Sequence, residues 1–294
     1  PVELEKIVFP EPSLELAIEP KAKGDEEKIN SGLTKLQDED PTFKVTLNTE
    51  TRQTVISGVG EQHLDVIVSK LKAKFGVSVN LIDPKVPYRE TIKSKVKVEG
   101  KHKKQSGGHG QYGHVWIEFE HGESEDLVFE EKIFGGSVPK QYHPAVEKGL
   151  REAISHGVLA GYPVVNLKAT LLDGSYHDVD SSEMAFKIAA RLAYKKGLPL
   201  ANPVLLEPIS HVEVYIPDSY MGDIIGDLNK RRGRILGMNP HKGGLQQVVA
   251  EVPTAEMFKY ANDLRSMTQG RGYFKQYFER YEEAPANIAQ KVIE

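Results

Sequence analysis

The alternation of hydrophobic and polar residues near the start of the chain predicts four strands and two helices. Strands are predicted at 13–19, 43–47, 54–57 and 77–81, where apolar and polar residues alternate. Helices are predicted at 26–36 and 64–75, where apolar residues recur every three or four positions. The order is strand, helix, strand, strand, helix, strand, which is that of a ferredoxin-like domain.

The same order of elements returns near the end of the chain. Strands are predicted at 211–216, 234–238, 247–252 and 273–281, and helices at 221–228 and 257–264. Asp218 and Thr254 each follow a proline just before one of these helices, and we expect them to be N-cap residues. Two similar domains are therefore predicted to flank a different central region.

The central region has the pattern of a mixed α/β domain. It is predicted to open with a long strand that carries Lys93, Lys95 and Lys97 on one face. Further strands are predicted at 115–120, 127–134 and 164–172, with a helix at about 142–154 whose start is obscured by Pro144.

A capping box predicts the start of a second helix in the central region. Asp180 and Glu183 have the required spacing, and Met184, Ile188 and Leu192 then fall on one side of the helix.

The whole chain is thus predicted to be an α+β protein with two ferredoxin-like βαββαβ domains flanking a mixed α/β domain. The predicted domains are 1–86, 87–205 and 206–294, the last with a C-terminal extension.

Length, composition and charge restrict the class of protein. The 294 residues suffice for two or three domains, and 39% hydrophobic with 27% charged residues is ordinary for a soluble globular protein. A net charge of -4 means that any contact with nucleic acid must be local. The absence of cysteine, of a long apolar run and of a signal-peptide pattern in 1–20 predicts a cytoplasmic location without membrane contact.

Two glycine-rich polar segments, 105–114 and 173–178, are the strongest candidates for a functional site. Each combines backbone freedom with an aromatic ring and neutral hydrogen-bonding groups, which suits close approach to RNA better than acid/base chemistry. The alternative is that the glycines form tight hairpins and that the tyrosines pack against them. The candidate RNA contacts are Ser106, Gly107, Gly108, His109, Gly110, Gln111, Tyr112, Gly174, Ser175, Tyr176, His177 and Asp178.

Two basic segments are the second kind of candidate, because lysine and arginine neutralise RNA phosphates. The first, 101–104, lies next to the glycine-rich segment 105–114. The second, 230–234, lies at the end of the helix predicted at 221–228. The alternatives are a solvated edge strand for the first and stabilisation of the helix C-terminus for the second. The candidate basic contacts are Lys101, Lys103, Lys104, Arg231, Arg232 and Arg234.

Catalytic and metal-binding patterns are weak in this sequence. It contains no GxxxxGK[ST] segment, so the chain is not expected to hydrolyse GTP by itself. Its ten histidines are scattered and form no HExxH pattern, so no metal site is expected. His177 with Asp178 and Asp180 could be read as a hydrolytic cluster, but loop polarity and a helix cap explain these residues better. No catalytic residue is predicted.

Four segments together resemble the C-terminal three domains of bacterial elongation factor G, conventionally numbered III, IV and V. They are 105–114 (QSGGHGQYGH), 173–184 (DGSYHDVDSSEM), 222–238 (GDIIGDLNKRRGRILGM) and 263–272 (DLRSMTQGRG). His109 stands where the main factor usually has arginine, and Gln62 where leucine is more usual. His109 and the lysine-rich 101–104 are similar to the divergent elongation factor G-like paralogues.

The resemblance implies a function as well as a fold. It implies that a GTPase domain, with GTP and Mg²⁺, lies in a part of the parent protein that this sequence does not include. Domain IV would enter the ribosomal A site and follow the tRNA–mRNA complex through its two tip segments, with His177 at the apex of the second. Domain V would contact large-subunit ribosomal RNA. The expected partners are RNA of both ribosomal subunits and the tRNA–mRNA complex, bound by a monomer. A nucleotide-independent RNA-binding or ribosome-protection module is the alternative.

Overall fold

A computed structural model of the chain describes residues 12, 14–105 and 110–294. These residues form two compact units. Of the described residues, the first unit contains those within 1–87 and 208–280, and the second contains those within 88–207 and 281–294. The segment 281–294 is therefore grouped with the central region, whereas the sequence-based division placed it in the third domain.

The first domain has the predicted ferredoxin-like order of elements. They are β1 (Leu14–Pro20), α1 (Glu26–Glu39), β2 (Lys44–Asn48), β3 (Gln53–Gly58), α2 (Glu61–Phe75) and β4 (Val79–Ile82). The antiparallel sheet has the order β2-β3-β1-β4. Both helices pack on one face of the sheet through residues such as Leu33, Ile56 and Leu64, which are buried. Helix α2 ends at Gly76, whose φ of 69° is the left-handed conformation that glycine tolerates best.

The central domain combines one main sheet with two helices. Its elements are β5 (Arg89–Ile92), β6 (Val96–Lys104), β7 (Gln111–His121), β8 (Val128–Glu131), α3 (His143–Ala153), β9 (Leu167–Ser175) and α4 (Glu183–Gly197). The sheet order is β6-β7-β9-β8, with β8 and β9 parallel and the other pairs antiparallel. The helices α3 and α4 cover one face and bury an apolar core there.

The third domain repeats the ferredoxin-like order. Its elements are β10 (Pro203–Pro217), α5 (Met221–Lys230), β11 (Arg234–His241), β12 (Leu245–Pro253), α6 (Tyr260–Met267) and β13 (Tyr273–Glu283), and α7 (Ala286–Ile293) follows. The strand order is β11-β12-β10-β13, and residues 203–206 at the start of β10 pair with β5. The architecture confirms the predicted α+β fold class. None of the helices in the described part of the chain is long and apolar enough to cross a membrane.

The first and third domains contact each other within the first unit. Arg265 donates a hydrogen bond from Nη2 to the carbonyl oxygen of Val59 at 2.9 Å. Asn262 donates from its side chain to Glu61 Oε2 at 3.2 Å. The start of α2 is thereby tied to α6.

The long strand predicted to open the central domain is two strands in the structure. Lys93 and Lys95 lie between β5 and β6, outside both strands. The backbone N–H groups of Lys93 and Ser94 donate to the carbonyl oxygen of Ala201, at 3.2 and 2.9 Å. The prediction of one lysine face along a continuous strand is therefore wrong, because a loop contact takes the hydrogen bonds that would have extended the strand.

Helix α4 differs from the sequence-based prediction in its N-cap and in its buried side. Ser182 is its N-cap and accepts from the backbone N–H of Ala185, so Asp180 and Glu183 do not form the predicted capping box. The predicted side of the helix is not the buried one, since Met184 is 59% and Leu192 40% exposed. The buried side consists of small residues together with two aromatic rings, namely Ala185, Phe186, Ala189, Ala190, Ala193, Tyr194 and Gly197.

Small residues on α4 allow the helix to lie unusually close to the sheet. A Cβ atom added to Gly113 would lie 2.4 Å from the carbonyl oxygen of Ala185, and one added to Gly100 would lie 2.1 Å from that of Ala189. These distances are far shorter than van der Waals contact, so only glycine fits on the sheet beneath α4.

The predicted N-caps of the third domain are also wrong. Asp218 and Thr254 each begin a short 3-10 turn, and neither side chain caps the α-helix that follows. Helix α5 begins at Met221 instead. The proline and the polar residue that follows it therefore mark the short turn before each helix and not the N-cap of the helix.

Candidate RNA-contacting tip of the central domain

The two glycine-rich segments meet at one end of the central sheet. The first tip loop, 105–110, joins β6 to β7, and the second, 176–182, joins β9 to α4. Gly110 N–H donates to Asp180 Oδ1 at 3.0 Å, and Tyr112 N–H donates to the Asp180 carbonyl at 2.8 Å. Ser181 Oγ donates to the Tyr112 carbonyl at 2.9 Å. The two loops are thus adjacent, although the candidates Ser106, Gly107, Gly108 and His109 lie outside the described residues.

His177 is held by its own loop in one orientation. The ring Nδ1 of His177 accepts hydrogen bonds from the backbone N–H groups of Val179 and Asp180 at 3.3 and 3.2 Å. The backbone N–H of His177 donates to Ser181 Oγ at 2.9 Å. An Nδ1 atom that accepts leaves the ring hydrogen on Nε2. With a side chain that is 56% exposed, His177 can present this Nε2–H to an external acceptor.

A chain of polar contacts on the sheet supports the base of the loops. Ser175 Oγ lies 2.7 Å from both the Tyr112 hydroxyl and His114 Nδ1. His114 Nε2 lies 3.0 Å from Glu99 Oε1. Because its hydroxyl is already engaged, Tyr112 can offer its ring rather than its hydroxyl to a partner. Lys101 Nζ lies 5.9 Å from the centre of that ring, within the range of a cation–π interaction.

Part of the first glycine-rich segment is strand rather than loop. Gln111, Tyr112, Gly113 and His114 belong to β7, and Gly113 is the packing glycine beneath α4. Gly174 also has a packing reason, since a Cβ atom there would lie 2.2 Å from the His114 carbonyl oxygen. The described glycines of this site therefore permit contacts inside the domain.

The other candidates from the two segments lie near the surface. Gln111 is exposed, and its Oε1 accepts from His102 Nε2 at 2.8 Å. Tyr176 and Asp178 are exposed on the second tip loop, and the Tyr176 ring is available for stacking.

The three candidate lysines lie on β6, where it approaches the first tip loop. Lys101, Lys103 and Lys104 are exposed, and within the described residues none of them forms an ion pair. By contrast, Lys95 pairs with Glu118 and Glu120 farther from the tip. Positive charge is therefore available beside the tip, although the chain as a whole is acidic.

The three candidate arginines are engaged inside the third domain. Arg231 donates to Asp227, to Asp263 and to the carbonyl oxygen of Glu256. Its guanidinium also lies 5.1 Å from the centre of the buried Tyr260 ring. These contacts engage the Arg231 side chain within the domain, although its partners are not the carbonyl groups at the end of α5.

Arg232 and Arg234 have acidic partners as well. Arg232 Nε lies 3.2 Å from Glu256 Oε1, and Arg234 pairs with Glu251. Arg280 binds the same Glu251 with two hydrogen bonds of 2.7 and 2.8 Å. Arg280 and, to a smaller extent, Arg234 lower the pKa of Glu251 from its ordinary 4.5 to about 2.

This arginine cluster predicts an acid-sensitive contribution to stability. Because the folded-state pKa of Glu251 is depressed, its contribution is complete above pH 4.5 and is lost as the pH falls toward 2. At pH 7, Glu251→Gln should lower the free energy of unfolding by about 2 kcal/mol, and at pH 2 by almost nothing. Urea unfolding at both pH values measures this. Glu279→Gln, beside Arg280 in the chain, is the exposed control, and a Glu251 effect independent of pH would contradict the assignment.

The described residues contain no group of three or more His, Cys, Asp or Glu side chains able to hold a metal ion. The residues that join the two tip loops carry no strong signal of this role in the sequence. Asp180 is expected from the sequence to cap a helix, and Ser181 has no individual role predicted within the segment 173–184, yet both bridge the loops. A third connection at this end of the sheet, between β8 and α3, was also missed. The glycine pair Gly135-Gly136 was the available signal for it.

Comparison with known proteins shows which class of protein has this arrangement. Three family models match nearly the whole chain, and all three describe parts of one translation elongation factor. They are "Elongation Factor G, domain III" over residues 9–83, "Elongation factor G, domain IV" over 84–202 and "Elongation factor G C-terminus" over 204–292. The chain therefore belongs to the elongation factor G family.

A solved structure agrees with this assignment of the fold. A crystal structure of a protein from Thermus thermophilus is 45% identical in sequence and superposes with a TM-score of 0.87. The match covers 98% of this chain and 43% of the other chain. This chain thus spans less than half the length of that protein.

Proposed function

We propose that this chain is the ribosome- and tRNA-contacting part of a GTP-dependent elongation factor that promotes tRNA–mRNA translocation. The observation that carries the proposal is the meeting of the two tip loops in a chain that belongs to the elongation factor G family. A GTPase domain elsewhere in the parent protein would bind GTP with Mg²⁺ and supply the free energy. The partners would be RNA of both ribosomal subunits and the tRNA–mRNA complex, bound by a monomer in the cytoplasm.

The chemistry available at the tip supports positioning rather than catalysis. His177 offers a fixed Nε2–H donor, and Tyr112 and Tyr176 offer rings. Such groups bind ribose hydroxyls, phosphate oxygens and base faces, while the nearby lysines add attraction to phosphate. By occupying the space beside the moved tRNA, the tip would block its return. No residue of this chain needs to act as an acid, base or nucleophile.

Substitution of His177 in the intact factor tests whether the tip contributes to tRNA movement without taking part in GTP hydrolysis. His177→Ala should slow single-round translocation about tenfold, because a contact made by the tip is lost, and ribosome-stimulated GTP turnover should remain nearly unchanged. Translocation can be followed with fluorescent mRNA by stopped flow, and GTP turnover by phosphate release. An equal loss of both activities would contradict the proposal.

His177→Asn is the matched variant that separates loop shape from RNA contact. The Asn side-chain oxygen can accept the Val179 and Asp180 N–H groups as Nδ1 does, because Asn forms such turns readily. It lacks the outward Nε2–H donor. We expect His177→Asn to translocate as slowly as His177→Ala. Full activity of His177→Asn would show that His177 serves the loop alone.

A nucleotide-independent RNA-binding or ribosome-protection module is the alternative function. It accounts for the same tip loops and lysines, but it requires no GTPase domain. Ribosome binding and action by the intact protein that do not change when GTP is replaced by GDP would favour this alternative.

A further inference from the structure

A third loop lies at the same end of the central sheet as the two tip loops. Strand β8 runs parallel to β9, with Glu131 opposite Leu171, so the segments that follow both strands leave the sheet at the same end. Lys132 N–H continues this pairing by donating to the Leu171 carbonyl at 2.8 Å. We call residues 132–138 the third tip loop. The sequence alone predicts no function for it.

The third tip loop presents a bare aromatic ring. Phe134 is 95% exposed, the highest value among the large hydrophobic side chains in the described part of the chain. Gly135 and Gly136 follow with φ of 71° and 73°, and a Cβ atom on either would meet nothing within 4 Å. Two successive left-handed residues form a tight turn that only glycine adopts without strain. The turn keeps Phe134 at the surface.

The loop is anchored on both sides of the exposed ring. Ile133 packs against the apolar core, and Val138 is buried within it. His143 Nε2 donates to the Val138 carbonyl at 3.0 Å, which ties the end of the loop to the start of α3. Tyr142 donates from its hydroxyl to the carbonyl oxygen of Ser181 at 3.4 Å, which links the segment after the loop to the second tip loop. Phe134 therefore projects from a loop that is fixed to the domain on both sides of it.

The surroundings of Phe134 fit a nucleobase better than a protein surface. Apart from Ile133, whose side chain packs inward, the residues beside Phe134 in the loop are two glycines and the exposed Lys132, and the exposed Lys140 follows the loop. A protein hot spot instead needs an apolar surround that excludes water. Lys132 Nζ lies 3.5 Å from Glu130 Oε2, and both side chains are exposed. Such a long surface ion pair is weak, so Lys132 can leave Glu130 and bind a phosphate instead. A base needs only a flat ring to stack on and positive charge near its backbone.

We propose that Phe134 stacks on an unpaired base of ribosome-bound RNA and forms a third contact of the tip. The inference rests on the proposed function, because it assumes that this end of the central domain reaches RNA. It adds a specific contact to that function: an aromatic face that recognises a base without selecting its identity.

The binding test uses the intact factor and 70S ribosomes loaded with mRNA and tRNA. Phe134→Ala should weaken binding about tenfold, the scale of one lost stacking contact. Phe134→Leu keeps an apolar side chain without a π-face and should bind almost as weakly, whereas Phe134→Tyr should bind like the unsubstituted protein. Melting temperatures should not change, because the ring is exposed. Equal binding by Phe134→Ala, or full recovery by Phe134→Leu, would overturn the inference.

A crosslinking test identifies the partner directly. With p-azidophenylalanine at position 134, ultraviolet light should attach the factor to RNA. The same residue at position 125, in the exposed connection at the opposite end of the sheet, is the control and should give much less RNA product. Crosslinks from position 134 to ribosomal protein alone would overturn the inference.

The binding test separates this inference from the proposed function. If His177→Asn weakens binding and Phe134→Ala does not, the inference fails while the proposed function stands. Failure of the unsubstituted factor to bind would overturn both.

Discussion

Glu90→Ala should destabilise the second unit by about 3 kcal/mol, because a buried carboxylate organises a whole loop there. Glu90 is 1% exposed. Its Oε2 accepts from Leu159 N–H at 2.8 Å, and its Oε1 accepts from Ala160 N–H at 2.9 Å and from Tyr162 N–H at 3.1 Å. Alanine would leave all three part-buried donors without this partner. Gly157 lies so close that an added Cβ atom would sit 2.2 Å from the Glu90 carboxylate, so the loop has little room to rearrange.

Urea unfolding measures the loss, and two further variants show its cause. Glu90→Gln keeps one acceptor oxygen but directs an NH₂ group at a backbone donor, so we expect roughly half the effect of alanine. Glu123→Ala, at an exposed site in the same domain, should change the free energy of unfolding by less than about 0.5 kcal/mol. Hydrogen exchange at the Leu159, Ala160 and Tyr162 amides should accelerate selectively in Glu90→Ala. Unaltered protection of these amides would contradict the proposed role of Glu90.

Gly113→Ala should have an effect of similar size for a different reason. The added methyl group would lie 2.4 Å from the carbonyl oxygen of Ala185, and backbone atoms cannot move aside as a flexible side chain can. Helix α4 would have to shift away from the sheet, which we expect to cost about 3 kcal/mol. Because α4 starts directly after the second tip loop, the shift should also displace His177 and, on the function proposed above, slow translocation by the intact factor.

Gly226→Ala is the matched control for this prediction. Gly226 lies in α5, and a Cβ atom there would meet nothing within 4 Å. Alanine should therefore leave stability unchanged or raise it by up to about 1 kcal/mol, as expected for a helical glycine. Urea denaturation of both variants provides the comparison. A midpoint for Gly113→Ala equal to that of the unsubstituted protein would mean that α4 does not depend on this close approach.

Several elements could be predicted because their signals are local. Alternation and helical spacing located the strands and helices of both ferredoxin-like domains, since each element buries one face on its own sheet. In α4 the same reasoning selected the wrong side, because the buried side is made of alanines that fit a close approach to Gly100 and Gly113. Small residues carry almost no hydropathy signal.

The candidate site was predictable in part, for a similar reason. Glycines, rings and polar groups marked the two tip segments, and the convergence of the segments depended on strand pairing. His114 faces Ser175 across β7 and β9, residues that are 61 positions apart in the chain. The sequence marked Arg232 and Arg234 as candidate RNA contacts, but it could not reveal their partners Glu256 and Glu251 on neighbouring segments.

The amino-acid sequence by itself determined the elements, the repeated ferredoxin-like order and the membership of the elongation factor G family, because these depend on periodicity and on contiguous motifs. Only the tertiary structure decided which glycines serve packing, which arginines are neutralised within the fold, and that three loops share one end of the central sheet. Such properties depend on distances between residues far apart in the chain. The parallel pairing of β8 with β9 is the clearest case, since it alone brings Phe134 to the end of the sheet that carries His177.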